Sequence, residues 1–319
     1  MKFSIIVPMY NVEKYLDKCL TSLTSQNYED YEIILINDCS KDETLAIAQS
    51  WSRKCSNITL IDKDYNTGLS DTRNLGIHIC NGTYIIFVDS DDYIEDNTLN
   101  IFNTIIEKYE PDVIYAGYYK EYENGDMVPS YGFLSQPNLL YASKDFMISE
   151  LNKRNLYASA AFGIYKREML QSHDLFFKVG ILHEDEHWTP RVLINANTVY
   201  LSDFHFYHYL KREGSITTQT DRTKNGLDLL QTCLELERYS RENISNPQLL
   251  KLFHNQIAKL YMKAVCIGKL YRKDYCNTVD RFFPIKHAVK GYDRLKAILF
   301  AISLNVYAKV DSILGDDWR

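Results

Sequence analysis

The sequence predicts an α/β fold with a mostly parallel central sheet, followed by a helical C-terminal region. Three observations predict it. Short apolar runs of strand length alternate with segments of helical apolar spacing through the first half. Three of those runs end in unusual polar clusters: Pro8-Met-Tyr10-Asn11, Asn37-Asp38 and Asp89-Ser90-Asp91-Asp92. Beyond about Asp221, proline and glycine become sparse and helical periodicity continues to the end.

Phe3 to Val7 reads as a strand ended by Pro8. Asn11 is placed to cap the helix that follows, where Val12, Tyr15, Leu16, Cys19, Leu20 and Leu23 share a face. Tyr31 to Ile36 is the second strand, and Ser40 and Glu43 have the spacing of a capping box. Ile58 to Ile61 is the third strand. A helix from about Ser70 to Cys80 leads to the Asn81-Gly82 turn, and Tyr84 to Val88 is the fourth strand. Strands separated by helices make βαβ units, and ligands bind beyond the carboxyl ends of such strands. The middle is less regular. Asp112 to Tyr118, Ala158 to Tyr165 and Phe204 to Leu210 read as strands, Glu121 to Asn138 as hairpin and loop, and Glu186 to Asn195 as a helix.

The chain has 319 residues, 45% hydrophobic and 24% charged, which suits a large α/β domain plus a smaller unit. Its formal net charge is −6, and the first two hundred residues hold no long basic run, which excludes a nucleic-acid groove. An anionic nucleotide would then need a local cation, either a metal or a placed arginine. The seven cysteines are odd in number and form no CxxC pair, so a reduced, cytoplasmic chain is expected. Met1-Lys2 runs straight into a strand, so no signal peptide is expected. No apolar run is long enough for a transmembrane helix. The 25 tyrosines supply flat amphipathic surface for base and sugar pockets, or a tyrosine-rich core.

Asp89, Asp91 and Asp92 carry the chemistry. Like charges this close repel, and a divalent cation held by hard carboxylate oxygens removes that penalty. An acidic turn capping the next helix is the plain alternative for such a short pattern.

Four segments in order resemble the family-2 inverting glycosyltransferases of the GT-A fold, the nucleotide-diphospho-sugar transferase fold. They are Ser4-Ile-Ile-Val-Pro-Met-Tyr-Asn11, Ile36-Asn-Asp-Cys-Ser-Lys-Asp42, Asn66-Thr-Gly-Leu-Ser-Asp-Thr-Arg-Asn-Leu-Gly76, and Gly82-Thr-Tyr-Ile-Ile-Phe-Val-Asp-Ser-Asp-Asp92. His183-Glu-Asp-Glu-His187 resembles the family's E-D motif, and the segment Tyr207 to Ile216 resembles the closing Y-x-Y-x-x-R-x-x-S of bacterial polysaccharide members. Asn37 departs from the frequent D-D-G-S pattern, while Asp38 keeps its second acid.

The resemblance implies a catalytic domain at 1-220, with a nucleotide-binding part about 1-120 and an acceptor part about 121-220, then a helical region at 221-319. It implies a UDP-sugar donor, with Pro8, Tyr10 and Asn11 at the base and Asp38 accepting from uracil. Arg73 would face the nucleotide, and Asp71 would orient Arg73 or reach the donor. Asp89 and Ser90 would lie at the ribose or metal-bound water, Asp91 would bind Mg2+ or Mn2+ with Asp89 beside it, and Arg212 would fold over the diphosphate with Ser215. The acceptor would be a glycan or polyprenyl-linked oligosaccharide in bacterial surface-polysaccharide synthesis, with Glu184 contacting it and Asp185 as catalytic base. A helix N-terminus favoured by the helix dipole is the alternative for these acids. His183 and His187 lack the H-E-x-x-H order of a zinc protease.

Lys286, His287, Lys290, Arg294 and Lys296 precede the apolar stretch Ala297 to Leu304. Contact with anionic lipid at the inner face of the membrane, packing on the catalytic domain and packing in a homodimer are all open. A sugar-phosphate nucleotidyltransferase would need a glycine-rich loop after the first strand, which Pro8-Met-Tyr-Asn11 does not supply. A non-catalytic sugar-nucleotide-binding protein on the same fold is the other alternative, and it would not need Asp91 and Asp185.

Overall fold

A computed structural model describes residues 1–211 and 221–314. In chain order the elements are β1 (Phe3–Met9), α1 (Leu16–Thr24), β2 (Tyr31–Asn37), α2 (Thr44–Lys54), β3 (Ile58–Asp62), α3 (Leu69–Ile79) and β4 (Tyr84–Phe87). Then come β5 (Tyr93–Ile94), α4 (Thr98–Tyr109), β6 (Val113–Tyr122), β7 (Met127–Ser130), β8 (Leu139–Ala142), α5 (Ser143–Asn152), β9 (Gly163–Lys166) and α6 (Arg167–Ser172). The rest are α7 (Glu184–Asn195), β10 (Thr198–Lys211), α8 (Thr223–Asn243), α9 (Pro247–Ile267), α10 (Phe283–His287), α11 (Gly291–Ile302) and α12 (Leu304–Leu314).

The strands form one mixed sheet in the order β3-β2-β1-β4-β9-β6-β10-β5, with β7 on β6 and β8 on β10. The run β3-β2-β1-β4 is parallel, as is β6 with β10, while β5, β7, β8 and β9 pair antiparallel. β1, β2 and β4 are buried along their whole length, as strands covered on both faces must be. This is why their apolar runs stand out in the sequence.

Pro8 does not end β1 as expected. It pairs in parallel register with Ile36, and β1 continues to Met9. The Ile6 carbonyl accepts from Val88 N and the Met9 carbonyl from Asp38 N, so position 8 faces the β4 side. The β1–β4 register stops at Ile6↔Phe87, so the missing N–H of Pro8 falls where no ladder partner remains.

Two expected helix caps are also corrected. Asn11 does not cap α1. It sits in the left-handed region at φ 52° and its Oδ1 accepts from Lys41 N at 2.8 Å. Ser40 opens no capping box, because its Oγ accepts from Asn11 N and α2 starts only at Thr44, whose N donates to Asp42 Oδ1. Both side chains tie the loop after β1 to the loop after β2.

Contacts divide the chain into two units. The sheet unit holds 1–146, 157–180 and 195–213, and the helical unit holds 147–156, 181–194 and 214–319. Segments 147–156 and 181–194 thus group with the C-terminal helices, which differs from a simple division at residue 220. In the helical unit α8 and α9 pack through Leu229, Cys233, Leu236, Phe253, Ile257 and Tyr261, all buried. A Cβ on Gly226 would lie 2.6 Å from Gly268 Cα, so the first turn of α8 and the end of α9 approach as only glycine allows. Asn246 caps α9 by accepting from Leu249 N at 3.0 Å, with Pro247 at the first helical position. Among the described residues no helix is long and apolar enough to cross a membrane.

Candidate active site

The strand register sets the site. Met9 pairs with Asn37 and Asn37 with Asp62, while β4 lies on the other side of β1. The chain therefore reverses its strand order between β1 and β4, the switch point where parallel sheets open a crevice at their carboxyl ends. The loops after β1, β2, β3 and β4 meet there.

Asp38 is the hub of the loop after β2. It is buried, Oδ1 accepts from Thr67 N at 2.9 Å and Oδ2 from Gly68 N at 2.8 Å. Gly68 has φ 91°, a conformation glycine adopts freely, and this turns its N–H onto the carboxylate. Asn66 Nδ2 donates to the Asp38 carbonyl at 3.1 Å. Lys63 Nζ stands 2.8 Å from Asp38 Oδ1 and 2.9 Å from Asp71 Oδ2, and it also bonds Thr67. Burial pulls the Asp38 carboxyl up, but Lys63 and the two backbone N–H groups outweigh it, so Asp38 is held below the usual carboxylate range. Bonds from Thr67 and Lys63 lower Asp71 as well.

Lys63 was not legible as a site residue. The loop 66–68 and both carboxylates hang on its ammonium. Replacing a nearly buried cation and leaving two acids uncompensated costs about 2–4 kcal/mol, reduced from the fully buried case because Asp71 is partly exposed. Lys63→Met is expected to lower stability by that amount, as denaturant unfolding would show. Because Asp38 and Asp71 have lowered pKa values, the network's contribution is present above the unfolded carboxylate pKa. It is lost only as pH falls through the lowered values.

Arg73 is 2% exposed and its Nη2 lies 2.8 Å from Asp89 Oδ1, with the guanidinium over the rings of Phe87 and Phe177. The structure gives it Asp89 as partner, where the sequence reading aimed it at the nucleotide. Asp71 pairs with Lys63. Asp89 and Asp91 are half-buried, and Ser90 is buried. Asp92 is buried and turned inward: Oδ2 accepts from Tyr207 Oη at 2.8 Å and Oδ1 from Leu210 N at 2.8 Å. Tyr207 Oη in turn accepts from Asp89 N at 3.1 Å. Burial, then the charges of Asp91 and Asp89, push the Asp92 carboxyl well up. The end of β10 thus clamps the acidic turn, a role for Tyr207 that the sequence did not reveal.

Pro8 is buried within β1, while the Tyr10 ring is 49% exposed at the strand end. Asn11 braces the neighbouring loop. Glu184 and Asp185 lie in the first turn of α7, in the helical unit. His183 Nε2 faces Asn225 Nδ2 at 3.0 Å, and His187 Nε2 faces Glu235 at 3.3 Å, so the two rings bond different partners on α8. His208 is 2.9 Å from Glu95 and stacked on Tyr93. Arg212 and Ser215 lie outside the described residues. Among the described residues none of the seven cysteines is in a disulfide. Among the described residues no group of three His, Cys, Asp or Glu side chains is arranged to hold a metal unaided.

The model of the family described as Glycosyl transferase family 2 matches residues 4–173. The poly(ribitol-phosphate) beta-N-acetylglucosaminyltransferase TarS of Staphylococcus aureus (strain Mu50) is 33% identical over 219 residues, 67% of this chain and 36% of that protein. Glycosyltransferase GlyA of Streptococcus pneumoniae serotype 4 is 33% identical over 223 residues, 68% of this chain and 31% of that protein. This chain therefore spans about a third of the length of those two relatives. A crystal structure of S. aureus TarS 1-349 in complex with UDP-GlcNAc matches with a TM-score of 0.74 at 24% identity, over 98% of this chain and 91% of that chain. The shared fold is GT-A, with its helical C-terminal region.

Proposed function

Because this chain belongs to glycosyl transferase family 2, we propose that it is an inverting, divalent-cation-dependent transferase. It moves sugar from a UDP-sugar to a hydroxyl of a glycan or polyprenyl-linked oligosaccharide in bacterial surface-polysaccharide synthesis. One observation carries the reading: Tyr10, Asp38, the 66–68 loop, Asp89 and Asp91 gather at one switch point of a parallel sheet.

Each group suits a part of the donor. The exposed Tyr10 ring offers a face for a base to stack on. Asp38 Oδ1 accepts from Thr67 N, Lys63 and, at 3.5 Å, Thr67 Oγ1, while Oδ2 accepts from Gly68 N. Each carboxylate oxygen has about two lone-pair sites, so Oδ2 has room for the ring N–H of uracil. The acidic turn fits a cation of the Mg2+ or Mn2+ type. Asp92 faces inward and Asp89 gives one oxygen to Arg73, and the family resemblance puts the cation at Asp91 with Asp89 beside it. That is the one or two carboxylates such an ion takes when substrate phosphates and water complete its shell. When bound, the cation supplies charge neutralisation on the diphosphate leaving group. Arg73 fixes the direction of Asp89, and Asp185 is the base that takes the acceptor's proton in a single displacement, with Glu184 at acceptor hydroxyls.

A panel of UDP-sugars incubated with Mg2+ or Mn2+ tests this. Slow release of free UDP from at least one donor, stopped by chelator, is expected. Release that ignores chelation removes the cation, and synthesis of nucleotide sugar from a sugar phosphate and a nucleoside triphosphate replaces the reading altogether.

A further inference from the structure

We propose that α11 and α12 dock this protein on an anionic lipid surface. The two helices carry an apolar face that the described residues leave uncovered. On α11, Leu295 is 65% and Ile302 71% exposed, with Ile298 exposed between them. The spacing i, i+3, i+7 puts all three on one side of the helix. On α12, Val306 and Ile313, seven residues apart, are exposed as well, the latter at 70%. Phe282 adds an exposed ring just before α10. Scattered apolar residues need no account, but a stripe that repeats along two successive helices does.

The charges around that stripe select the occupant. Between 281 and 313 the only acids are Asp293 and Asp311, and both are buried. Asp293 accepts from Arg154 Nη2 at 2.5 Å and Asn255 Nδ2 at 2.8 Å, so its charge is spent inside the helical unit. The cations Arg281, Lys286, Arg294 and Lys309 are exposed, with Lys286 facing the exposed Asp280 at 3.4 Å. In a chain of net charge −6, this stretch thus sets Arg281, Arg294 and Lys309 at the surface next to exposed apolar side chains. Apolar contact plus attraction to anionic headgroups is the combination by which helices lie in a membrane interface. Two-fold pairing of the same face in a second copy would set these cations against one another, which disfavours that occupant.

The test is sedimentation of the full chain with phosphatidylcholine vesicles, with and without phosphatidylglycerol. Binding is expected to the anionic vesicles at low salt and to be lost at high salt, because exposed charges are screened. The pair Arg294→Glu and Lys309→Glu should weaken it at least roughly tenfold. The pair Ile298→Ser and Ile302→Ser should weaken it comparably while leaving the melting temperature unchanged, since both side chains are exposed. If the serine pair fails to fold, the charge pair and the salt dependence still decide. Equal binding to neutral and anionic vesicles, or none to either, overturns the proposal. So does a wild-type dimer that the serine pair makes monomeric, which would assign the face to a second copy.

Discussion

Asp185→Asn is expected to lower the turnover of sugar transfer by about 10²–10⁴-fold and to leave UDP affinity unchanged. The attacking hydroxyl must lose its proton as the new bond forms, and an amide cannot take it. A thousandfold loss corresponds to about 4 kcal/mol of transition-state stabilisation. The competing account makes Asp185 a helix-opening acid, since Glu184, Asp185 and Glu186 all fall in the first turn of α7. Losing one such charge costs about 0.3–1 kcal/mol of stability and nothing in chemistry. The two accounts therefore diverge in which quantity moves. Steady-state kinetics with a UDP titration would show kcat falling at constant UDP affinity if Asp185 is the base. A small fall in melting temperature with transfer intact would remove it. UDP affinity should hold in either case, because the proposed reading puts the nucleotide at Tyr10, Asp38, Asp89 and Asp91 and Asp185 at the acceptor hydroxyl.

The sequence was most readable where burial is complete. β1, β2 and β4 are buried on both faces, so each appears as an unbroken apolar run with its special residues at the carboxyl end. The four motif segments lie at those ends and on α3, which is why the loops that meet at the switch point are legible residue by residue. β5, β7 and β8 were hidden. They are two to four residues long, and pairing with β6 and β10 creates them rather than any pattern of their own. α4 carries a signal of its own, because Leu99, Phe102 and Ile106 mark its buried face at helical spacing.

The misread caps share a cause. Asn11 and Ser40 have the right local chemistry for helix starts, but each bonds a loop about thirty residues away. Local competition between caps and turns is decided by such non-local partners. Lys63 shows the same limit. Nothing near it in the chain marks it, and its meaning comes from Asp38 on one side and Asp71 on the other. Arg73 adds a non-local pairing of the same kind: it packs against Phe87 and Phe177 and pairs with Asp89, sixteen residues on.

Asp91→Ala is expected to abolish the gain in UDP affinity that Mg2+ or Mn2+ provides. Bridging a carboxylate and a diphosphate through a divalent ion is worth several kcal/mol, so the affinity in metal should fall by about a hundredfold or more. The sign in chelator is the sharper part of the prediction. With no cation present, a half-buried carboxylate beside the diphosphate repels it, and Asp89 and Asp92 crowd the same turn. Removing Asp91 deletes one of those like charges, so the variant should bind UDP at least as well as wild type under chelation. Calorimetric titration of both proteins, with metal and with chelator, gives four affinities and one interaction between them. A metal ligand makes that interaction large. A carboxylate that merely shapes the turn would weaken binding equally in both conditions and leave none.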